Sequence, residues 1–116
     1  MIAQRTLGKA HPLTVSAMGL GCMGLTPIYS KPDPKVAIAT VHRAAELGCT
    51  FLDSSDAYAF GANEELLATA IKSLAGPVRS NITLATKFGQ IRSPDGTMSE
   101  MVQRTLKSIR SVPATA

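Results

Sequence analysis

The chain has 116 residues, of which 45% are apolar and 17% charged, and carries a formal net charge of +4. That is the length of one ordinary domain, with enough apolar residues for a core and no segment of disordered composition. The basic residues scatter rather than form a stripe interleaved with aromatics, and no run approaches the ~20 apolar residues of a membrane span; neither nucleic acid nor membrane is expected as a partner.

In chain order, AQRTLGKAHPLTV holds two short alternating runs around Gly8-Lys9, a dipeptide suited to the tight turn of a β-hairpin. VSAMGLG reads as a buried strand that runs into a glycine-rich loop. Asp33 as N-cap and Pro34 at the first helical position open a helix. Its apolar face is Ala37, Val41, Ala44 and Ala45, and Gly48 closes it. A strand follows from Cys49 to Asp53. Asn63 is the expected cap of the next helix, with Glu64 and Glu65 in its first turn and Leu67, Ala70, Ile71 and Leu74 as its buried stripe. Gly76-Pro77 is expected to stop that helix, and a strand runs from Ile82 to Phe88. Thr97 and Glu100 have capping-box spacing, and Val102, Leu106 and Ile109 extend it into a third helix reaching about Arg110. The expected organisation is one domain over 1–111 and a disordered tail over 112–116.

A hairpin followed by three strand–helix units, with strands starting roughly every thirty-odd residues, is the pattern of βα repeats on a parallel sheet. Gly21, Asp53 and Lys87 then fall at the C-terminal ends of the strands, where α/β proteins build their sites.

Gly19, Gly21 and Gly24 spell G-x-G-x-x-G after a strand. A dinucleotide-binding Rossmann loop needs a helix starting inside the motif and an acidic residue ending the second strand about 20 residues on. Here Thr26, Pro27, Ser30, Lys31 and Pro32 follow instead, and Asp53 comes too late. A tight loop fits better, or a floor on which a flat ring can lie, since glycine lets backbone approach closely. Cys22 and Cys49 lack metal-ligand spacing and read as buried thiols of a reducing cytoplasm. Arg5 and Lys9 ahead of VSAMGLGCMGL, with Leu20-Gly21-Cys22, outline a signal or lipid-attachment segment. Its apolar part is glycine-broken and begins late, so a cytoplasmic location is expected.

Asp53 and Lys87 both end apolar runs, where a charge is costly to bury without a partner. Tyr58 lies in the loop between them. A phenol, with an ordinary pKa near ~10, is a poor acid at neutral pH, but a nearby ammonium favours its ionised form. A carboxylate partner in turn keeps a partly buried lysine charged. Such a trio can protonate a developing alkoxide, with hydride supplied by a nicotinamide cofactor. The plainer alternative is a capping Asp, a surface ring and a solvated Lys.

The segments GLGCMGL, FLDSSDAYAFGANEELLATAI and ATKFG resemble the N-terminal signature of the aldo-keto reductases, and the resemblance runs from about Arg5 to Ile109. It implies an α/β fold, the N-terminal part of a (β/α)8 TIM barrel comprising a hairpin and about three βα units. It also implies NADP(H)-dependent reduction of aldehydes and ketones, with NAD(H) as the alternative cofactor and a small carbonyl compound as substrate. By resemblance Tyr58 is the general acid, Lys87 lowers its pKa and Asp53 partners the lysine. Gly21, Cys22, Met23 and Asp53 match positions beside the nicotinamide; no metal is implied. The family usually has Gly after the tyrosine, where this chain has Ala59. A complete barrel needs ~250 residues. The family's catalytic His, which ends its fourth strand, has no counterpart here, since His11 falls in the hairpin and His42 in the first helix. The chain alone is therefore expected to be an incomplete, inactive part of a reductase. The alternative is a non-enzymatic remnant or interaction module that self-associates through an open sheet edge.

Overall fold

A computed structural model describes residues 1–92, 98–100 and 109–111, with side chains described through Gln90. The hairpin forms as β1 (Gln4–Leu7) and β2 (Leu13–Ser16), antiparallel, with Leu7 opposite Leu13. The connection is not a tight turn at Gly8-Lys9: it runs from Gly8 through Pro12, with Gly8 at φ 78°. The expected continuous strand VSAMGLG is likewise broken. Ser16 ends β2, the chain bends through Ala17 and Met18, and β3 (Gly19–Gly21) begins the main sheet. The Ser16 hydroxyl explains the break. It donates to the Met18 carbonyl (2.7 Å) and accepts from the Thr50 and Phe51 amides (3.0 and 3.1 Å), pinning the bend to the next strand.

Helix α1 (Pro34–Glu46) starts as its sequence dictates, with the Asp33 carboxylate accepting from the Lys35 amide at 2.8 Å. β4 (Phe51–Ser55) follows, two residues later than the expected Cys49–Asp53. Helix α2 (Ala62–Lys72) is capped not by Asn63 but by Gly61, in left-handed backbone at φ 90°. Asn63 lies inside the helix and is buried for another purpose, described below. Gly76-Pro77 does not simply stop α2, which has already ended by Ser73. It opens the short helix α3 (Gly76–Ser80), where a proline in the first turn lacks an N–H that no helix would use. β5 (Thr83–Lys87) completes the repeat.

The expected third helix is overturned at both ends. Met98–Glu100 is a strand, β7, paired antiparallel with β6 (Gln90–Arg92). Ile109–Ser111 is a strand, β8, antiparallel on the edge of β5. A free strand edge offers a row of unpaired backbone groups, and β8 takes them. The tail expected at 112–116 lies outside the described residues, as do Thr97, Val102 and Leu106.

The main sheet has the order β3-β4-β5-β8, with β3, β4 and β5 parallel and adjacent in chain order. Leu20, Leu52 and Leu84 are in register across these strands and share one face. Against it pack Val41 and Ala45 of α1 and Leu67, Ala70 and Ile71 of α2, with Ile82 and Cys22 in the same cluster. His42 of α1 reaches α2, with Nε2 2.9 Å from the Ala70 carbonyl and 3.0 Å from the Ser73 hydroxyl. Because side chains alternate along a strand, Gly19, Gly21, Asp53, Ala85 and Lys87 fall on the opposite face.

Candidate active site

Asp53, Tyr58 and Lys87 come together at the C-terminal ends of β4 and β5. The register sets Asp53 beside Ala85 and Ser55 beside Lys87, so the lysine reaches one pleat back to its carboxylate. Lys87 Nζ donates to Asp53 Oδ2 at 2.8 Å and to the Ser54 carbonyl at 2.7 Å. It also stands over the Tyr58 ring, 4.8 Å from the centroid, within the range of a cation–π contact. The ammonium thus faces the ring rather than sitting on the phenol oxygen alone. Burial pushes the Lys87 pKa down, but the Asp53 carboxylate and Tyr58 outweigh it, and the net shift is upward. The pair is not sealed from water, with side-chain exposures of 40% and 53%, so it is worth little as a stabilising ion pair. Its consequence is a lysine held charged and held in place.

Tyr58 opens a short 3-10 turn whose next two residues adopt left-handed backbone without being glycine: Ala59 at φ 45° and Phe60 at φ 61°. Asp56 ties this loop to β5. Its amide donates to the Lys87 carbonyl (2.9 Å) and its Oδ2 accepts from the Gly89 amide (3.3 Å). Composition gave no reason to single out Asp56, since its partners are backbone groups that only the strand register brings near.

Gly21 pairs with Asp53, and a Cβ added there would meet nothing within 4 Å, leaving open space beside the carboxylate. Such a space suits a flat ring. Met23 is half-buried at the start of a 3-10 turn, Met23–Leu25, where a Rossmann loop would instead begin its long helix. Cys22 departs from a ligand-facing role in its side chain: the thiol is fully buried in the core, with Sγ donating to the Leu20 carbonyl at 3.4 Å. Burial raises its pKa to about 11. What Cys22 contributes to the loop is its peptide, whose N–H donates to the Asp53 carbonyl at 2.9 Å.

Asn63 is the residue whose role was not legible. It is fully buried; Oδ1 accepts from the Ser54 hydroxyl (2.6 Å), and Nδ2 donates to the Cys22 carbonyl (2.7 Å) and the Thr26 hydroxyl (2.9 Å). Asn at a helix start looks like a cap in any sequence. Only the depth of the site, with Ser54 and Cys22 also buried, makes it a cross-link. Among the described residues, no three His, Cys, Asp or Glu side chains group as a metal site, and no helix is long and apolar enough to cross a membrane.

A hairpin followed by parallel strand–helix units is the opening portion of a (β/α)8 barrel. The sequence profile of the aldo/keto reductase family matches residues 17–112, and the chain belongs to that family. It is 48% identical over 82 residues to an NADP(+) aldo-keto reductase, yakc, of Schizosaccharomyces pombe; the match covers 71% of this chain and 24% of that protein. Its fold matches that of the aldo-keto reductase AKR11C1 from Bacillus halodurans, in its holo form, with a TM-score of 0.66 and 35% identity. That match covers 84% of this chain and 29% of the other. The chain therefore spans about a quarter of the length of the relatives it matches.

Proposed function

We propose that this chain carries the proton-donating part of an NADP(H)-dependent carbonyl reductase site, with NAD(H) as the alternative cofactor. The observation that carries the reading is Lys87, held by Asp53 and the Ser54 carbonyl while standing over the Tyr58 ring. A bound nicotinamide would supply hydride to the carbonyl carbon, and Gly21, Met23, the Cys22 peptide and Asp53 line the place for its ring. Tyr58 gives its phenolic proton to the oxygen of the small aldehyde or ketone as negative charge develops there. Lys87 favours loss of that proton by stabilising the phenolate left behind. Asp53 keeps the lysine protonated and aimed.

The chain by itself is an incomplete site and reduces little or no aldehyde. This is supported by an open sheet of three parallel strands where the family closes a barrel. A second reading, a non-enzymatic interaction module, is favoured by β3. Among the described residues it pairs only with β4 and so presents a strand edge. NADPH oxidation with 4-nitrobenzaldehyde tests both. The purified chain should show no turnover. A chimaera carrying residues 17–112 in place of the matching segment of an active relative should be a reductase, and Tyr58→Phe should lower its kcat by about 10²–10⁴-fold. An inactive but folded chimaera would overturn the enzymatic reading. Turnover by the chain alone, abolished by Tyr58→Phe, would overturn its incompleteness.

A further inference from the structure

We infer that Asn63 is a positioning residue that clamps the Gly21–Met23 loop against the end of β4, so that the start of α2 sets the shape of the surface beside Asp53. That surface is the ring-facing wall of the proposed function, and this part of the inference rests on that reading; the clamp itself does not.

A carboxamide buried without partners is expensive, and Asn63 is fully buried at the start of α2. Yet every polar atom of Asn63 is used. Nδ2 spends both hydrogens, on the Cys22 carbonyl and the Thr26 hydroxyl, and Oδ1 takes the Ser54 hydroxyl. The Cys22 carbonyl can only accept, so the orientation of the amide is fixed by chemistry. A fully satisfied buried network specifies one arrangement where an apolar contact would tolerate several.

The three partners are also well chosen. Cys22 and Thr26 bracket the 3-10 turn Met23–Leu25, and Ser54 follows Asp53 on β4. The backbone of Cys22 is gripped on both sides: its N–H by the Asp53 carbonyl, its carbonyl by Asn63 Nδ2 and by the Leu25 amide at 3.1 Å. Gly21 and Met23, which flank that residue, have little freedom left. The loop's other buried group, the Cys22 thiol, is fully buried, so that loosening this grip should make it more reachable.

That thiol supplies the test. In the 116-residue chain with Cys49→Ser, Cys22 is the single thiol, and its reaction with a disulfide reagent such as DTNB reports local opening. Asn63→Ala should speed labelling at least tenfold. Thr26→Val, which keeps the shape and removes only the hydroxyl, should do so several-fold, and Thr26→Ser should restore the parent rate. Ile71→Val, a core truncation on the same helix, controls for general loss of stability and should leave the rate within about twofold. Equal rates for Thr26→Val, Thr26→Ser and the parent would overturn the clamp even if Asn63→Ala fails to fold. Acceleration by Ile71→Val as large as by Thr26→Val would overturn it too. NADPH titration of the chimaera carrying residues 17–112, as parent and as Thr26→Val, followed by nicotinamide fluorescence, separates the second part. Weaker binding by Thr26→Val than by the parent supports the positioning role. Unchanged binding with a loosened loop overturns that role, while a parent that binds no NADPH counts against the functional reading and leaves the labelling result to judge the clamp.

Discussion

At the scale of single residues, two groups tie the site to alkaline pH. Cys22 is fully buried, and burial lifts its pKa from 9.0 to about 11. The folded state therefore holds this proton more tightly than the unfolded chain. The stability it contributes is complete below pH 9.0 and is lost as pH rises toward about 11. At 1.36 kcal/mol per pKa unit the loss is on the order of 2 kcal/mol. Urea melts at pH 8 and pH 11 should show it in the parent and show less of it in Cys22→Ala. Lys87 has the same sign at higher pH. Its raised value contributes stability below 10.5 that is lost above it, a smaller effect because the pair is exposed. Ala59 makes a different kind of prediction. A Cβ in left-handed backbone costs about 1–2 kcal/mol, and glycine gives back part of this gain as chain entropy. Ala59→Gly should raise the urea midpoint, with a net gain below about 1 kcal/mol. In the sequence Ala59 stood out only because the family usually has Gly there. That the backbone turns left-handed at this residue, and again at Phe60, is a property of how the Tyr58 loop must reach α2, which no local propensity records.

Among the elements, α1 and α2 were legible because a helix packing on a sheet must show its apolar stripe. Ala37, Val41 and Ala45 are buried as the spacing requires, as are Leu67, Ala70 and Ile71. Leu67 is fully buried between α2 and the sheet, so Leu67→Ala should cost about 2–5 kcal/mol of unfolding free energy, measured by urea melts with unchanged slope. β4 and β5 were legible for the same reason, to within two residues, whereas the expected strand VSAMGLG is split between β2 and β3. What misled was chemistry that serves more than one purpose. Asn63 and Gly76-Pro77 carry helix-end signals, yet the first is a buried cross-link and the second a helix start. Thr97 to Ile109 carries a helical period with a capping box. A short isolated helix is marginal unless its stripe meets a core. At its ends this segment forms backbone ladders with β6 and β5 instead. That Asp53 and Lys87 lie together, by contrast, was readable in advance: a charge closing an apolar run needs a partner, and the candidates were few. Tyr58 was singled out by the family resemblance.

For the whole molecule the decisive fact is an asymmetric sheet. Leu20, Leu52 and Leu84 face α1 and α2, while Gly21, Asp53 and Lys87 lie on the other face, where Asp53 and Lys87 stay partly exposed. The edge of β3, which among the described residues pairs only with β4, favours association. Phe88 at 49% exposure and Phe60 at 75%, both beside the site, add apolar surface. Light scattering coupled to size exclusion should show the chain's apparent mass rising with concentration from the micromolar range upward. A mass that stays at 12.2 kDa across that range would count against the second reading of its function.

The lysine at the centre of the site has a geometric consequence as well as an electrostatic one. An ammonium carries three N–H vectors at tetrahedral angles. Two of them are committed, one to the Asp53 carboxylate and one to the Ser54 carbonyl, so the third has its direction dictated by the strand backbone. The lysine acts as a set square: β4 supplies two sides and thereby fixes the third. A planar guanidinium has the same charge but not that angle, and for this site the angle is what β4 and β5 are arranged to hold.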